Sequence, residues 1–356
     1  RLTEKPDVWI QVTVPNEFQA VGEYNIGITA GIETTLVDPS WLEGCNRMDK
    51  IIVPSEHAKE VFVKSSYDKH DKNSKQKIGE LKLQVPCEVL FEGSDMNIFK
   101  KTNDIPVTVI ESMKEVKEEF CFLNVGHWLQ GDFGHDRKDV GGVIKVFCDT
   151  FNSKKKKPAL IIKTSGATYS VEDKQHILHK FRTVMRTVKN LDVSVYLIHG
   201  DMKPEELNGL YNHPKIKAMV SFTHGEGYGR PLQEFSITGK PTIAPGWSGQ
   251  VDFLSKYGVL LKGKVQQIHP SAAQEKIILK DSGWFYTDVN YATAVLKDVY
   301  KNYKKYLETT RKQTQYIKEN FTLDLMKDKF KVMMETVPSK AQRVELNLPK
   351  LEKQNA

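Results

Sequence analysis

The sequence predicts an α/β chain of two domains, each a parallel sheet with helices on its faces. Three observations carry this reading. At 356 residues the chain exceeds the usual size of one domain. Short apolar strands alternate with helical segments along nearly its whole length, the pattern of crossover-connected parallel strands. The stretch 218–254, AMVSFTHGEGYGRPLQEFSITGKPTIAPGWSGQVDFL, is a strand, a glycine-punctuated loop, a helix and a second strand in direct succession. Composition agrees, since 39% hydrophobic and 27% charged residues belong to an ordinary globular protein.

In chain order, Val8 to Val14 and Asn25 to Thr29 read as the first two strands. Pro39, suited to a first helical position, opens a helix ending near Asn46. Asp49 to Pro54 is a third strand, and Ser55 caps a helix reaching Phe62. The segment Asp68 to Lys77 is polar throughout and reads as a surface loop. Val85 to Phe91 is a fourth strand. A linker over Lys100 to Glu119 divides the first domain (1–105) from the second (106–319). There Cys121 to Trp128 is a strand running into a glycine turn, followed by the loop LQGDFGHDRKD and a helix from Val140 to Phe151. Ala159 to Lys163 is a strand, Glu172 to Val188 a long basic helix, and Val193 to Ile198 a strand ending at His199-Gly200. Pro204 opens a short helix before the stretch 218–254, so this half is Rossmann-like. Tyr291, Tyr300, Tyr303 and Tyr306 then recur at near-helical intervals, the spacing of a core-packing stripe. A last helix, Leu323 to Glu335, lies within 320–337, and 338–356 reads as a polar tail.

The glycine loop of 218–254 sits at the carboxyl end of a strand, where open parallel sheets bind ligands. Gly225, Gly227 and Gly229 let backbone amides approach a bound group, and the helix opened by Pro231 favours an anion at its amino end. Glu226 and Glu234 flank that anion site. Acids beside phosphates suit neutral hydroxyl groups, and sugar hydroxyls are the candidates. Glu234 reads as lying in an exposed helical turn. Either glutamate alone would read as a solvated residue or a complement to the helix dipole. The pair, with three glycines, reads as function.

Glu226 and Glu234 stand with seven residues between them inside HGEGYGRPLQE, followed by GKPTIAPGWSG. This resembles the donor-site signature of retaining glycosyltransferases of family four. The resemblance implies two Rossmann-like domains facing each other across a cleft (the GT-B type). It also implies an enzyme that moves a hexose-type sugar from a nucleotide-diphosphate sugar to a hydroxyl of a glycan or other acceptor, with retention at the anomeric carbon. MDKIIVPSEHAKEVF and VPCEVLFEGSDMNIF extend it more loosely into the first half, with Asp95 and Phe99 at family positions. The glycine-rich first strand and helix of the family are missing before Val8, so the first domain reads as short, either trimmed or reduced on its acceptor side.

By the same resemblance, Lys138 and Arg137 contact the donor diphosphate, and the family's Gly-Arg reads Gly126-His127. Glu226 would orient the sugar hydroxyls and, with Lys138 and Arg137, make up the catalytic set. Glu234 would accept hydrogen bonds from the ribose. Gly126, His127, Lys163, His199, Gly225, Gly227, Tyr228 and Gly229 complete the donor-binding set, with the base near His199. The helix in 320–337 would cross back onto the first domain. The family does not rely on a bound divalent ion. No Asp-x-Asp is present and His127, His135 and His199 lack paired ligand spacing, so no metal and no cofactor beyond the donor are expected.

A net charge of +7 leaves room for an anionic partner. The run Lys154 to Lys157 lacks interleaved aromatics, so nucleic acid is the less favoured of these. Four scattered cysteines, a start without signal-peptide character and the absence of a bilayer-length apolar run predict a cytoplasmic protein without a transmembrane segment. Two other classes stand beside the enzyme: a non-catalytic nucleotide- or sugar-binding module, and a DNA-modifying glycosyltransferase.

Overall fold

A computed structural model describes residues 4–338 except 72, 153, 154 and 190. Lys154 of the basic run and the tail from 339 onward lie outside the described residues.

The first sheet is built from β1 (Val8–Val12), β2 (Tyr24–Ile28), α1 (Pro39–Cys45), β3 (Lys50–Val53) and α2 (Glu56–Lys64). Asp38 caps α1 by accepting from the Ser40 amide at 2.9 Å, with Pro39 at the first helical position. Ser55 caps α2, its Oγ accepting from the Ala58 amide at 3.1 Å. The chain then forms a hairpin, β4 (Ser66–His70) and β5 (Lys77–Lys82), before β6 (Cys87–Val89) completes a parallel sheet in the order β1-β2-β3-β6. The hairpin replaces the loop expected over Asp68 to Lys77. Its strands are mostly polar and exposed, and only Tyr67 and Leu81 pack inward on the first core, so no apolar alternation marks it.

The segment expected as a linker contains a short helix, α3 (Val107–Ser112), anchored by the buried Val109. The second sheet follows: β7 (Cys121–Val125), α4 (Val140–Phe151), β8 (Ala159–Lys163), α5 (Val171–Arg186), β9 (Val195–Ile198), α6 (Pro204–Asn212), β10 (Ile216–Val220), α7 (Arg230–Ser236), β11 (Thr242–Pro245), α8 (Val251–Leu254) and β12 (Val259–Leu261). Its order is β12-β11-β10-β7-β8-β9, parallel throughout. Phe122, Leu160 and Ile162 face one core while Leu123, Ile161 and Met219 face another. Burial on both faces accounts for strands such as ALIIK that are apolar at nearly every position.

An antiparallel hairpin, β13 (Gly263–Gln267) with β14 (Gly283–Thr287), leads to α9 (Val289–Lys301) and α10 (Tyr303–Asn320). Tyr291, Tyr300 and Tyr306 pack against the α4 core, and Tyr300 and Tyr303 meet Phe120 edge-on at 5.0 and 5.3 Å. The last helix, α11 (Leu323–Glu335), lays Phe330, Met333 and Met334 on Ile26 and Ile52 of the first sheet. Cys45, Cys87, Cys121 and Cys148 are free and buried. Among the described residues, no helix is long and apolar enough to cross a membrane.

Two features of this topology position a site. In the second sheet the chain leaves β7 toward β8 and β9, then returns through β10 toward β11 and β12, so the switch point lies between β7 and β10. The carboxyl ends of β2 and β3 also meet those of β10 and β11. Ser55 Oγ donates to the Gly227 carbonyl at 2.6 Å, the Glu56 amide to Asp252 at 3.0 Å, and the Thr35 amide to the Gly283 carbonyl at 2.9 Å.

Candidate active site

The site grows from the switch point. After β7, the loop 126–139 brings Arg137 and Lys138 to the start of α4, whose N-cap is Asp139 in the left-handed region (φ 44°). The Asp139 carboxylate accepts from the Gly142 amide at 3.0 Å. Two cations ahead of a helix amino end oppose the dipole unless an anion meets them. The structure supplies that anion from the loop after β10. Lys138 Nζ donates to Glu226 Oε1, and Arg137 NH1 lies 3.3 Å from Glu226 Oε2. Arg137 also donates to the Gly225 carbonyl at 3.2 Å, and the His224 amide holds the Arg137 carbonyl at 2.7 Å.

A second carboxylate comes from the first domain, with Glu33 Oε1 3.4 Å from Arg137 NH1. Burial favours the neutral form of Glu226, yet Lys138 and Arg137 together hold its carboxyl below the ordinary carboxylate range. Burial likewise opposes the Arg137 charge, and Glu33 and Glu226 overcome it. Glu226, read from sequence as facing sugar hydroxyls, is thus also the direct partner of both candidate diphosphate cations. Gly126 packs flat on the stem of Lys138, whose carbons lie 3.4 Å from where a Cβ would stand.

The glycines have a structural role that the sequence did not suggest. A Cβ at Gly225 would lie 1.9 Å from the Glu33 carbonyl oxygen, and one at Gly227 would lie 2.2 Å from that of Ala30. Both positions admit the backbone of the first domain rather than only that of a ligand. Gly229, at φ 103°, turns the chain into α7. The Tyr228 side chain points away from the cleft, packing on Phe253 at 5.2 Å and accepting from Gln233 Nε2, so the backbone is what it offers a donor.

Glu234 departs from the expected exposed turn. It is 4% exposed, with Arg230 NH2 3.2 Å from Oε1, because α7 is enclosed between β11 and α10. Burial pushes its carboxyl up to about 7 against the pull of Arg230, with Glu92 adding to the rise. Between the ordinary 4.5 and 7 the folded chain keeps a proton that the unfolded chain has released, so stability falls as pH rises through that window. Glu234→Gln abolishes this titration. It should gain stability over the parent between pH 5 and pH 8, by at most about 3 kcal/mol. Thermal melts of both proteins at the two pH values check this, and an unchanged gap would refute it.

The remaining expected residues ring the same sheet edge. His127 follows β7, its Nδ1 3.1 Å from Ser165 Oγ, and burial followed by the Lys138 charge lowers its pKa, leaving a neutral imidazole at pH 7. Lys163 ends β8 with its ammonium 5.4 Å over the Tyr169 ring. His199 follows β9, its Nε2 2.8 Å from Asp173, which also accepts from the Gly166 amide at 2.9 Å. Among the described residues, no group of three or more His, Cys, Asp and Glu side chains is placed to hold a metal ion. Sequence reasoning passed over Glu33, Ser55 and Ser248, whose Oγ accepts from the Glu226 amide at 3.0 Å. For Glu33 the available signal was its place just beyond the carboxyl end of β2.

No protein-family model matches the chain, and no curated protein matches it in sequence. Solved structures do match. The N-terminal domain of the Candida albicans trehalose-6-phosphate phosphatase superposes with a TM-score of 0.56 at 14% identity, over 88% of this chain and 66% of that one. Sucrose-phosphate synthase from Thermosynechococcus elongatus gives 0.61 at 11% identity, over 92% and 73%. The fold is the two-Rossmann-domain GT-B fold. Anabaena HepE, solved with UDP and glucose, shares it at a TM-score of 0.55 and 11% identity, over 93% and 72%. The chain spans 66% to 73% of the length of these three.

Proposed function

We propose that the protein is a metal-independent glycosyltransferase resembling the retaining enzymes of family four. It would move a hexose-type sugar from a nucleotide-diphosphate sugar to an acceptor hydroxyl. The observation that carries this reading is the switch-point cluster, in which Lys138, Arg137 and Glu226 meet at the start of α4. Two half-buried cations beside a helix amino end suit a diphosphate leaving group, and a carboxylate among them suits the hydroxyls of the attached sugar. HepE, of the same fold, was solved with UDP and glucose, which supports a nucleotide-sugar ligand. Residues 106–319 would form the donor domain and 1–105 the acceptor side, with 320–337 tying the two.

In mechanism, Lys138 and Arg137 would stabilise the charge that grows on the diphosphate as the glycosidic bond breaks, a contribution larger in the transition state than in the ground state. Glu226 would orient the sugar and hold both cations in place. The neutral His127 would donate or accept one hydrogen bond beside them, and Glu234 would meet the ribose under Arg230.

The test is a thermal-shift panel of UDP, GDP and ADP and their glucose conjugates, followed by nucleoside-diphosphate release from whichever conjugates bind. A true ligand raises the melting temperature by mass action. Binding without release would instead indicate a binding module, and salt-sensitive duplex binding a DNA-modifying enzyme. Release should persist at full rate in excess EDTA, because protein cations rather than a metal neutralise the diphosphate. Loss in EDTA with recovery in Mn²⁺ would sink metal independence.

A further inference from the structure

Glu33 is the member of the cation cluster that the first domain contributes. Its chain neighbours Ile32 and Thr34 are buried, and its carbonyl lies against Gly225, so its backbone is fixed from three sides. The side chain is 27% exposed and reaches Arg137 at 3.4 Å. Glu226, by contrast, is 9% exposed and committed to Lys138 and Arg137. Three to six residues beyond Glu33, Leu36, Asp38 and Pro39 line a cavity of about 570 Å³, which Gln274, Lys276 and Asp281 close on the other side. The chain thus sets a partly exposed carboxylate beside the candidate leaving-group cations, on the segment that runs on to line that cavity.

We infer that Glu33 is the acceptor-side carboxylate of the transfer reaction; this rests on the transfer reading above. As the bond from the anomeric carbon to the diphosphate breaks, its electron pair leaves on the diphosphate oxygen beside Lys138 and Arg137. The acceptor oxygen forms the new bond to that carbon, and its proton passes to the Glu33 carboxylate and then to solvent. Positioned general bases of this kind are worth roughly 10²- to 10⁴-fold in rate. Because Glu33 shares Arg137 with the leaving group, a hydroxyl at Glu33 approaches from the leaving-group side, the direction that retention requires.

The experiment measures nucleoside-diphosphate release from UDP-, GDP- and ADP-glucose with water as acceptor, and UDP, GDP and ADP affinity by calorimetry. Glu33→Gln keeps the shape of the side chain and removes its basicity. It should leave nucleotide affinity within about threefold and lower release by roughly a hundredfold or more. A parent-like rate in Glu33→Gln would overturn the assignment, as would affinity and turnover falling together, which would make Glu33 a prop for Arg137. If Glu33→Gln does not fold, Glu33→Asp keeps the charge while withdrawing the carboxylate, and an unchanged rate there would overturn it equally. A parent that releases no nucleoside diphosphate from any of the three overturns the transfer reading, and this inference with it.

Discussion

Lys138→Ala is expected to lower turnover by roughly ten-fold to a thousand-fold while weakening nucleoside-diphosphate affinity less. The leaving diphosphate gains charge as the bond breaks, so a cation beside it is worth more in the transition state than in the ground state. Lys138 is 12% exposed, so solvent replaces little of what its removal takes away. The substitution also strips Glu226 of one partner. Arg137 remains 3.3 Å away, so the destabilisation should stay below the roughly 3–5 kcal/mol of a buried charge left with no partner. Calorimetry paired with donor-hydrolysis kinetics, on protein shown to be folded by its melt, separates these effects. Equal losses of affinity and turnover would mean that Lys138 serves uniform binding rather than the chemical step.

Gly225→Ala should have the second largest effect, by a route that touches no charge. The added Cβ would lie 1.9 Å from the Glu33 carbonyl oxygen and 3.1 Å from the Trp247 ring. A backbone atom on one side and a packed indole on the other leave no flexible side chain to yield, so the first-domain loop must move away from the second sheet. Overpacking of this kind costs about 1–3 kcal/mol. The larger consequence is geometric, because Glu33 would no longer reach the cluster. Displacements near 1 Å at a reacting centre cost on the order of a hundredfold in rate. Nucleotide affinity should fall much less, since Lys138, Arg137 and Glu226 all belong to the second domain. Turnover, nucleotide calorimetry and small-angle scattering on parent and variant check this. A variant that is as compact and as active as the parent would show that the glycine serves only the turn.

Much of the fold was legible because its signals are local. Pro39 at a first helical position and Ser55 ahead of EHAKEVF each mark a helix start by local chemistry, and α1 and α2 begin there. The run CDTF closes α4 at the expected Phe151. The polar hairpin β4–β5 was illegible for the opposite reason: its strands are stabilised by pairing with each other and carry almost no buried face.

The candidate site divides along the same line. The residue types and their spacing around 225–234 depend on neighbours a few positions away, so sequence alone determined that a glycine loop, two glutamates and a helix start stand together at a strand end. The partner of each charged group depends on chain segments tens to hundreds of residues distant. Only the tertiary structure decided that Glu226 meets Lys138, 88 positions away in the chain, that Glu234 is buried beneath Arg230 rather than exposed, and that Tyr228 turns into the core. Glu33 was the furthest from reach, because nothing in TAGIETT refers to Arg137. Their encounter is set by two sheets whose carboxyl ends meet, and Gly225 and Gly227 allow that approach by the absence of a Cβ.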